Sequence, residues 1–168
     1  GWPSMPDIPG IKYAISSNEA LELPVLPRRM VIVGGGYIAV EFAGIFSGLG
    51  VDVTEIIRAD NILRGFDDDM RGSLFEEMGK RGITIRTETE VREIEKDGAI
   101  FYLRLGNEEI IETDCVMYAT GRNANTKGLG LELAGVKMRS NGSIKVDEYN
   151  QTSQPHIYAV GDVTDRIQ

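Results

Sequence analysis

The stretch Met30-Val31-Ile32-Val33-Gly34-Gly35-Gly36-Tyr37-Ile38-Ala39-Val40-Glu41-Phe42-Ala43 decides the fold. Four apolar residues, a glycine turn and then apolar residues at helical spacing predict strand, tight turn and helix. The turn spells G-x-G-x-x-A through Gly34, Gly36 and Ala39, the form used by dinucleotide-binding sites. Gly34 lets the backbone leave the strand sharply, and Gly36 leaves bare backbone for a pyrophosphate. Ala39 keeps the helix close to the sheet, while the helix N-terminus offers free N–H groups and positive partial charge.

Outward from this turn, apolar periodicity predicts the helix over 37–48, ended by Gly50, and a second strand over 51–57. Asp67 reads as the N-cap of a second helix reaching about Arg81 and stopping at Gly82, with Asp68 and Asp69 complementing its dipole. A third strand follows over 83–87. Short strands over 91–96, 99–105 and 108–112, joined by Asp97-Gly98 and Gly106-Asn107, make an antiparallel meander. Residues 115–119 return to the parallel sheet, Asn141-Gly142 is a hairpin turn, and 157–160 form one more short strand. The fold class is therefore α/β: a Rossmann-like parallel sheet with helices and an inserted antiparallel three-stranded meander.

The first 29 residues hold five of the six prolines and read as an N-terminal connector, with one capped helical turn at Ser17-Asn18-Glu19-Ala20. Residues 30–121 form the nucleotide-binding domain, and 122–168 form the C-terminal part of the module. The 168 residues suit a domain with its own core, and 42% hydrophobic with 26% charged residues is a soluble composition. A net charge of −8 argues against a nucleic-acid surface, and no apolar run has the length of a membrane span. The single cysteine, Cys115, excludes an internal disulfide or paired-cysteine redox motif and reads as a small core residue. No metal site is expected. With no targeting signal, a cytoplasmic location is expected.

An enzyme preferring NAD places a carboxylate at the end of the second strand, where it bonds the ribose hydroxyls. That position falls near Ile57, which cannot accept a hydrogen bond, and Arg58 and Arg64 follow it. Two guanidiniums there suit the 2′-phosphate of NADP. Glu55 is awkward: it lies two residues before Ile57 on a strand expected to be buried on both faces. It needs a partner or solvent, and it reads either as a local structural feature or as a ribose contact.

With the arginines placed, the chain resembles the central NADPH-binding domain of the flavoprotein disulfide reductases of the glutathione reductase type. The resemblance rests on residues 34–46, on Arg58 with Leu63-Arg64-Gly65-Phe66-Asp67, and on Ala119-Thr120-Gly121-Arg122. It continues through Asn125-Thr126-Lys127, Gly130-Leu131-Glu132, Ala134-Gly135-Val136, Val146-Asp147 and residues 157–162. It implies that Gly34, Gly35, Gly36 and Ile38 cradle the pyrophosphate and adjoining ribose, and that Arg58 and Arg64 clamp the 2′-phosphate. Tyr37 would cover the flavin and swing aside for nicotinamide, Glu41 would orient the nicotinamide, and Gly121 would line its pocket. Asp162 would bond the ribityl chain of FAD in the intact enzyme. In such a parent, hydride passes from NADPH to FAD and electrons pass on to a disulfide such as glutathione disulfide.

The resemblance also marks departures. The FAD domain, its cysteine pair and the downstream His-Glu pair are not in this sequence. His156 lies outside the family's catalytic His-Pro setting and reads as a surface residue. The chain alone is accordingly expected to bind NADPH, to hold no catalytic residue, to turn nothing over and to be a monomer, whereas the parent would be a homodimer. The same domain from a trypanothione, thioredoxin or mercuric reductase, and a non-catalytic scaffold, remain as alternatives.

Overall fold

The computed structural model describes residues 1–166, and its strands fall where short apolar runs are cut by turn residues. In chain order these are β1 (Trp2–Pro3), β2 (Arg29–Val33), β3 (Asp52–Ile56), β4 (Thr84–Arg86), β5 (Val91–Asp97), β6 (Ile100–Leu105), β7 (Ile110–Thr113), β8 (Cys115–Tyr118) and β9 (Arg122–Asn123). The helices are α1 (Ser17–Ala20), α2 (Tyr37–Gly48) and α3 (Asp68–Lys80), with 3-10 turns at Ile11–Tyr13 and Asp162–Thr164. The chain divides into a larger unit, Met5–Gly121, and a smaller one made of Gly1–Ser4 and the residues from Arg122 onward.

In the larger unit, β2, β3, β4 and β8 form a parallel sheet in the order β4-β3-β2-β8. Alternation along each strand sends side chains to two different layers. Met30, Ile32, Val53, Cys115 and Met117 face Ala39, Ala43 and Phe46 of α2 and Met78 of α3. Val31, Val33, Ile56, Val116 and Tyr118 face Val91, Ile94, Leu103 and Leu105 of the antiparallel meander β5-β6-β7. The fold class expected from the sequence is observed. The sheet needs both covers because its central strands carry apolar side chains on both faces.

Caps fix the helix ends. Ser16 and Glu19 close a capping box over α1. Asp67 accepts from the amides of Asp69 (3.1 Å) and Met70 (3.2 Å) to start α3. Gly50 (φ 87°) and Gly82 (φ 88°) follow the ends of α2 and α3 in conformations that suit glycine.

Residues 1–29, read above as a connector, divide between the units. Trp2 and Pro3 pair antiparallel with Asn123 and Arg122 in the smaller unit. In the larger unit, Ile15 forms a parallel bridge beside Met117: its amide donates to Val116 (2.8 Å), and its carbonyl accepts from Tyr118 (2.8 Å). Ala20 is buried against the helix-side core.

Two strand expectations are corrected. The strand expected over 108–112 begins at Ile110, because Glu108 adopts φ 66° in the turn after β6. The strand expected over 157–160 is one isolated bridge, Gln151 to Tyr158, closed by the Thr152 amide on Ile157 (2.9 Å) and the Ala159 amide on Asn150 (3.0 Å), while the Ile157 amide turns back onto Gln154 (3.0 Å). At Asn141-Gly142 the turn forms, with the Gly142 amide on the Arg139 carbonyl (3.0 Å), but it joins only the single bridge Met138 to Ile144. The smaller unit packs around Val136, Ile144 and Ala159.

Candidate functional site

At the carboxyl end of β2 the chain must turn between two neighbouring strands, and glycine alone fits. Gly34 has φ 142°, and a Cβ there would stand 2.4 Å from the Ala119 carbonyl oxygen just past β8. On its other side the Gly34 amide donates to Ile56 of β3 (3.0 Å). Gly35 lies over Ile57 and Ile62, with the Ile57 methyl 2.9 Å from where a Cβ would be. Gly36 is different. Its φ of −84° suits any residue, and the Cβ direction meets nothing within 4 Å.

Gly36 also occupies the N-cap of α2, where no side chain among the described residues caps the first amides and no acid stands in the first turn. The uncapped end therefore presents N–H groups and partial positive charge to open space. Ala39 is fully buried against the sheet. Tyr37 (46% exposed) and Glu41 sit one helical turn apart on the exposed side of α2, and Ile38 is half-buried.

The segment after β3 is pinned to this turn. The Leu63 amide donates to the Gly35 carbonyl (2.6 Å), while Ile62, fully buried, anchors the segment in the core beneath Gly35. Arg58 and Arg64 flank that anchor and are both exposed. Neither guanidinium has a hydrogen-bond or ion-pair partner among the described residues. Gly34 to Ala39, Arg58 and Arg64 are thus gathered at one end of the parallel sheet. Gly121 (φ 120°) follows β8 at the same end, two residues beyond the carbonyl that Gly34 approaches. Asp162 belongs to the smaller unit, exposed at the start of its 3-10 turn, 3.5 Å from the terminal amino group.

A guanidinium that motif reading passes over supports the same segment. Arg71 of α3 donates from Nε to the Ile62 carbonyl (2.7 Å) and from Nη1 to Asp68 (2.6 Å), with Nη2 3.9 Å from Asp60. The sequence signal was an arginine three residues after an acid in the first turn of a predicted helix.

Glu55 finds neither of the environments expected for it. Its side chain is fully buried on the helix face of β3, between Ile32 of β2 and Ile85 of β4 in register, and neither carboxyl oxygen has a hydrogen-bond partner among the described residues. Burial pushes its pKa up to about 8, so it is mostly protonated at neutral pH. A ribose contact is thereby excluded for this placement. Cys115 is also buried, and burial pushes its thiol up to about 11, the behaviour of a core residue. His156 is exposed. Among the described residues no cluster of acids, histidine or cysteine could hold a metal ion, and no helix is long and apolar enough to cross a membrane.

The family described as pyridine nucleotide-disulphide oxidoreductase matches residues 1–168, and the chain belongs to that family. It is 49% identical over 165 residues to a glutathione reductase of Burkholderia cepacia, covering 98% of this chain and 37% of that protein. It is 51% identical over 170 residues to the chloroplastic/mitochondrial glutathione reductase of Pisum sativum, covering 99% and 30%. Among solved structures, the HOCl-induced flavoprotein disulfide reductase RclA of Escherichia coli superposes with a TM-score of 0.92 at 31% identity, covering 98% of this chain and 38% of that one. The chain spans about a third of the length of these relatives.

Proposed function

We propose that this member of the pyridine nucleotide-disulphide oxidoreductase family is the NADPH-binding module of a glutathione reductase-like flavoenzyme. The observation that carries the reading is the bond from the Leu63 amide to the Gly35 carbonyl. It supports the reading because two arginines, without a partner among the described residues, follow β3 next to a segment tied to the glycine turn, a combination that suits a dinucleotide with an extra phosphate. The residues fit that ligand in shape as well, since the space above Gly36 is open where a pyrophosphate would approach the backbone.

The α2 amides and the Gly34–Gly36 backbone would hold the pyrophosphate, and Arg58 and Arg64 the 2′-phosphate. Tyr37 and Glu41, one turn apart on the exposed face of α2, would border the nicotinamide end, with Gly121 lining the pocket. When bound, NADPH supplies a hydride, and in the longer enzyme a flavin would receive it. Of a flavin site this chain would supply Asp162, bonding the ribityl chain, and Tyr37, covering the ring, which is too little to retain FAD by itself. The two glutathione reductases at 49% and 51% identity support glutathione disulfide as the final acceptor in that enzyme.

Titration calorimetry with NADPH and NADH tests the reading. If each charge-assisted contact contributes about 1.5–3 kcal/mol, NADPH should bind roughly 10² to 10⁴ times more tightly. Replacing Arg58 and Arg64 together by alanine should remove that preference and leave NADH affinity nearly unchanged. Equal affinities in the unsubstituted chain would end the phosphate assignment.

A further inference from the structure

We propose that Arg71 is a positioning residue for coenzyme discrimination, holding the segment between Arg58 and Arg64 in the one shape that presents both to a 2′-phosphate. The inference rests on the nucleotide reading above and adds to it a residue that touches no ligand.

Two features of the segment need an external brace. Leu63 adopts φ 51°, a left-handed conformation uncommon for a leucine, immediately before Arg64. The Ile62 amide is taken by the Asn61 side chain (2.8 Å) and the Leu63 amide by Gly35 (2.6 Å), which leaves the Ile62 carbonyl to be satisfied from the helix side. Arg71 satisfies it at 2.7 Å while also engaging Asp68 and lying near Asp60, so one planar fork links the segment to the first turn of α3. Its side chain is only 15% exposed, unlike the solvent-facing Arg58 and Arg64. With its donors directed at protein oxygens, Arg71 is not a third phosphate cation. Lysine has the charge, but its three donors radiate from a single nitrogen and lack the planar fork whose separated nitrogens address Ile62, Asp68 and Asp60 at once.

The experiment compares adenosine 2′,5′-bisphosphate with AMP by calorimetry on the 168-residue chain, alongside urea unfolding. Arg71→Lys should weaken bisphosphate binding about tenfold and AMP binding less than about twofold, with cooperative unfolding retained. A lysine variant that binds both ligands like the wild type, or loses both equally, overturns the proposal. Asp68→Asn is a second, exposed variant that leaves the core untouched. It removes an anion, so electrostatics alone would strengthen bisphosphate binding, whereas a loosened fork weakens it; strengthening or no change counts against positioning. The Arg58→Ala/Arg64→Ala chain separates the two ideas. If it keeps the bisphosphate preference, the nucleotide reading falls and this inference with it. If it loses the preference while Arg71→Lys behaves as wild type, only the inference falls.

Discussion

Glu55 shows how far one residue can depart from its strand. A carboxyl without a hydrogen bond in an apolar layer is tolerated only while neutral, so folding holds a proton that the unfolded chain releases near pH 4.5. Because the folded pKa is raised to about 8, stability is greatest below the unfolded value and falls as pH rises between the two, then levels off. Glu55→Leu should remove this slope and stabilise the chain at pH 8.5 by an amount on the order of a few kcal/mol, read as a higher urea midpoint. A wild-type midpoint equal at pH 5 and pH 8.5 would contradict the assignment. The glycine turn offers a contrast of the same size. Gly34→Ala places a methyl 2.4 Å from a backbone oxygen at φ 142° and should cost about 2 kcal/mol or more of stability. Gly36→Ala has room and an ordinary φ, so its melting temperature should hold while nucleotide affinity falls about tenfold or more, because the methyl enters the space a pyrophosphate would use. Unchanged affinity in that variant would place the phosphates elsewhere.

At the scale of elements, the helices and the parallel strands were legible because each carries a period and a punctuation mark. The run from Met30 to Val33, the cap at Asp67 and the glycines at 50 and 82 state their own ends. The site was legible where chemistry sits in short motifs, as in Gly34-Gly35-Gly36, Arg58 and Arg64. It was not legible where it depends on one segment folding onto another: nothing local in Leu63 announces that its amide meets Gly35, or in Arg71 that its fork reaches Ile62. The pairing of Trp2–Pro3 with Arg122–Asn123 was hidden for the same reason, two residues being too few for a period. Helix α3 carries a weakness of its own. Gly72 and Gly79 are helical, with open space at both Cβ positions. Replacing both by alanine should stabilise the chain by about 1–2 kcal/mol and raise its melting temperature by several degrees, since no neighbour must shift. A calorimetric scan in which the double variant melts at or below the wild type would mean that these glycines answer a packing need not visible at the Cβ positions.

At the scale of the whole molecule, each unit encloses its own apolar centre, the larger one around two layers of the sheet and the smaller one around Val136, Ile144 and Ala159. The proposed phosphate-binding residues all lie in the larger unit, whereas the single tryptophan, Trp2, lies in the smaller one at 61% exposure. A ligand stabilises whatever unit must be folded to bind it, by about 2.7 kcal/mol at a hundredfold excess over its Kd. NADPH at that concentration should therefore raise the transition reported by far-ultraviolet circular dichroism, which is dominated by α2, α3 and the sheets of the larger unit. Tryptophan fluorescence should report a transition that moves less, because none of the proposed phosphate contacts lies in the unit that Trp2 reports. NADH at the same concentration should move the first transition little, its missing phosphate leaving Arg58 and Arg64 without a partner. If NADPH and NADH raise that transition equally, the arginines take no part in recognition. If NADPH moves the tryptophan signal as far as the dichroism, the smaller unit takes part in binding and the site is larger than the glycine turn and its two arginines.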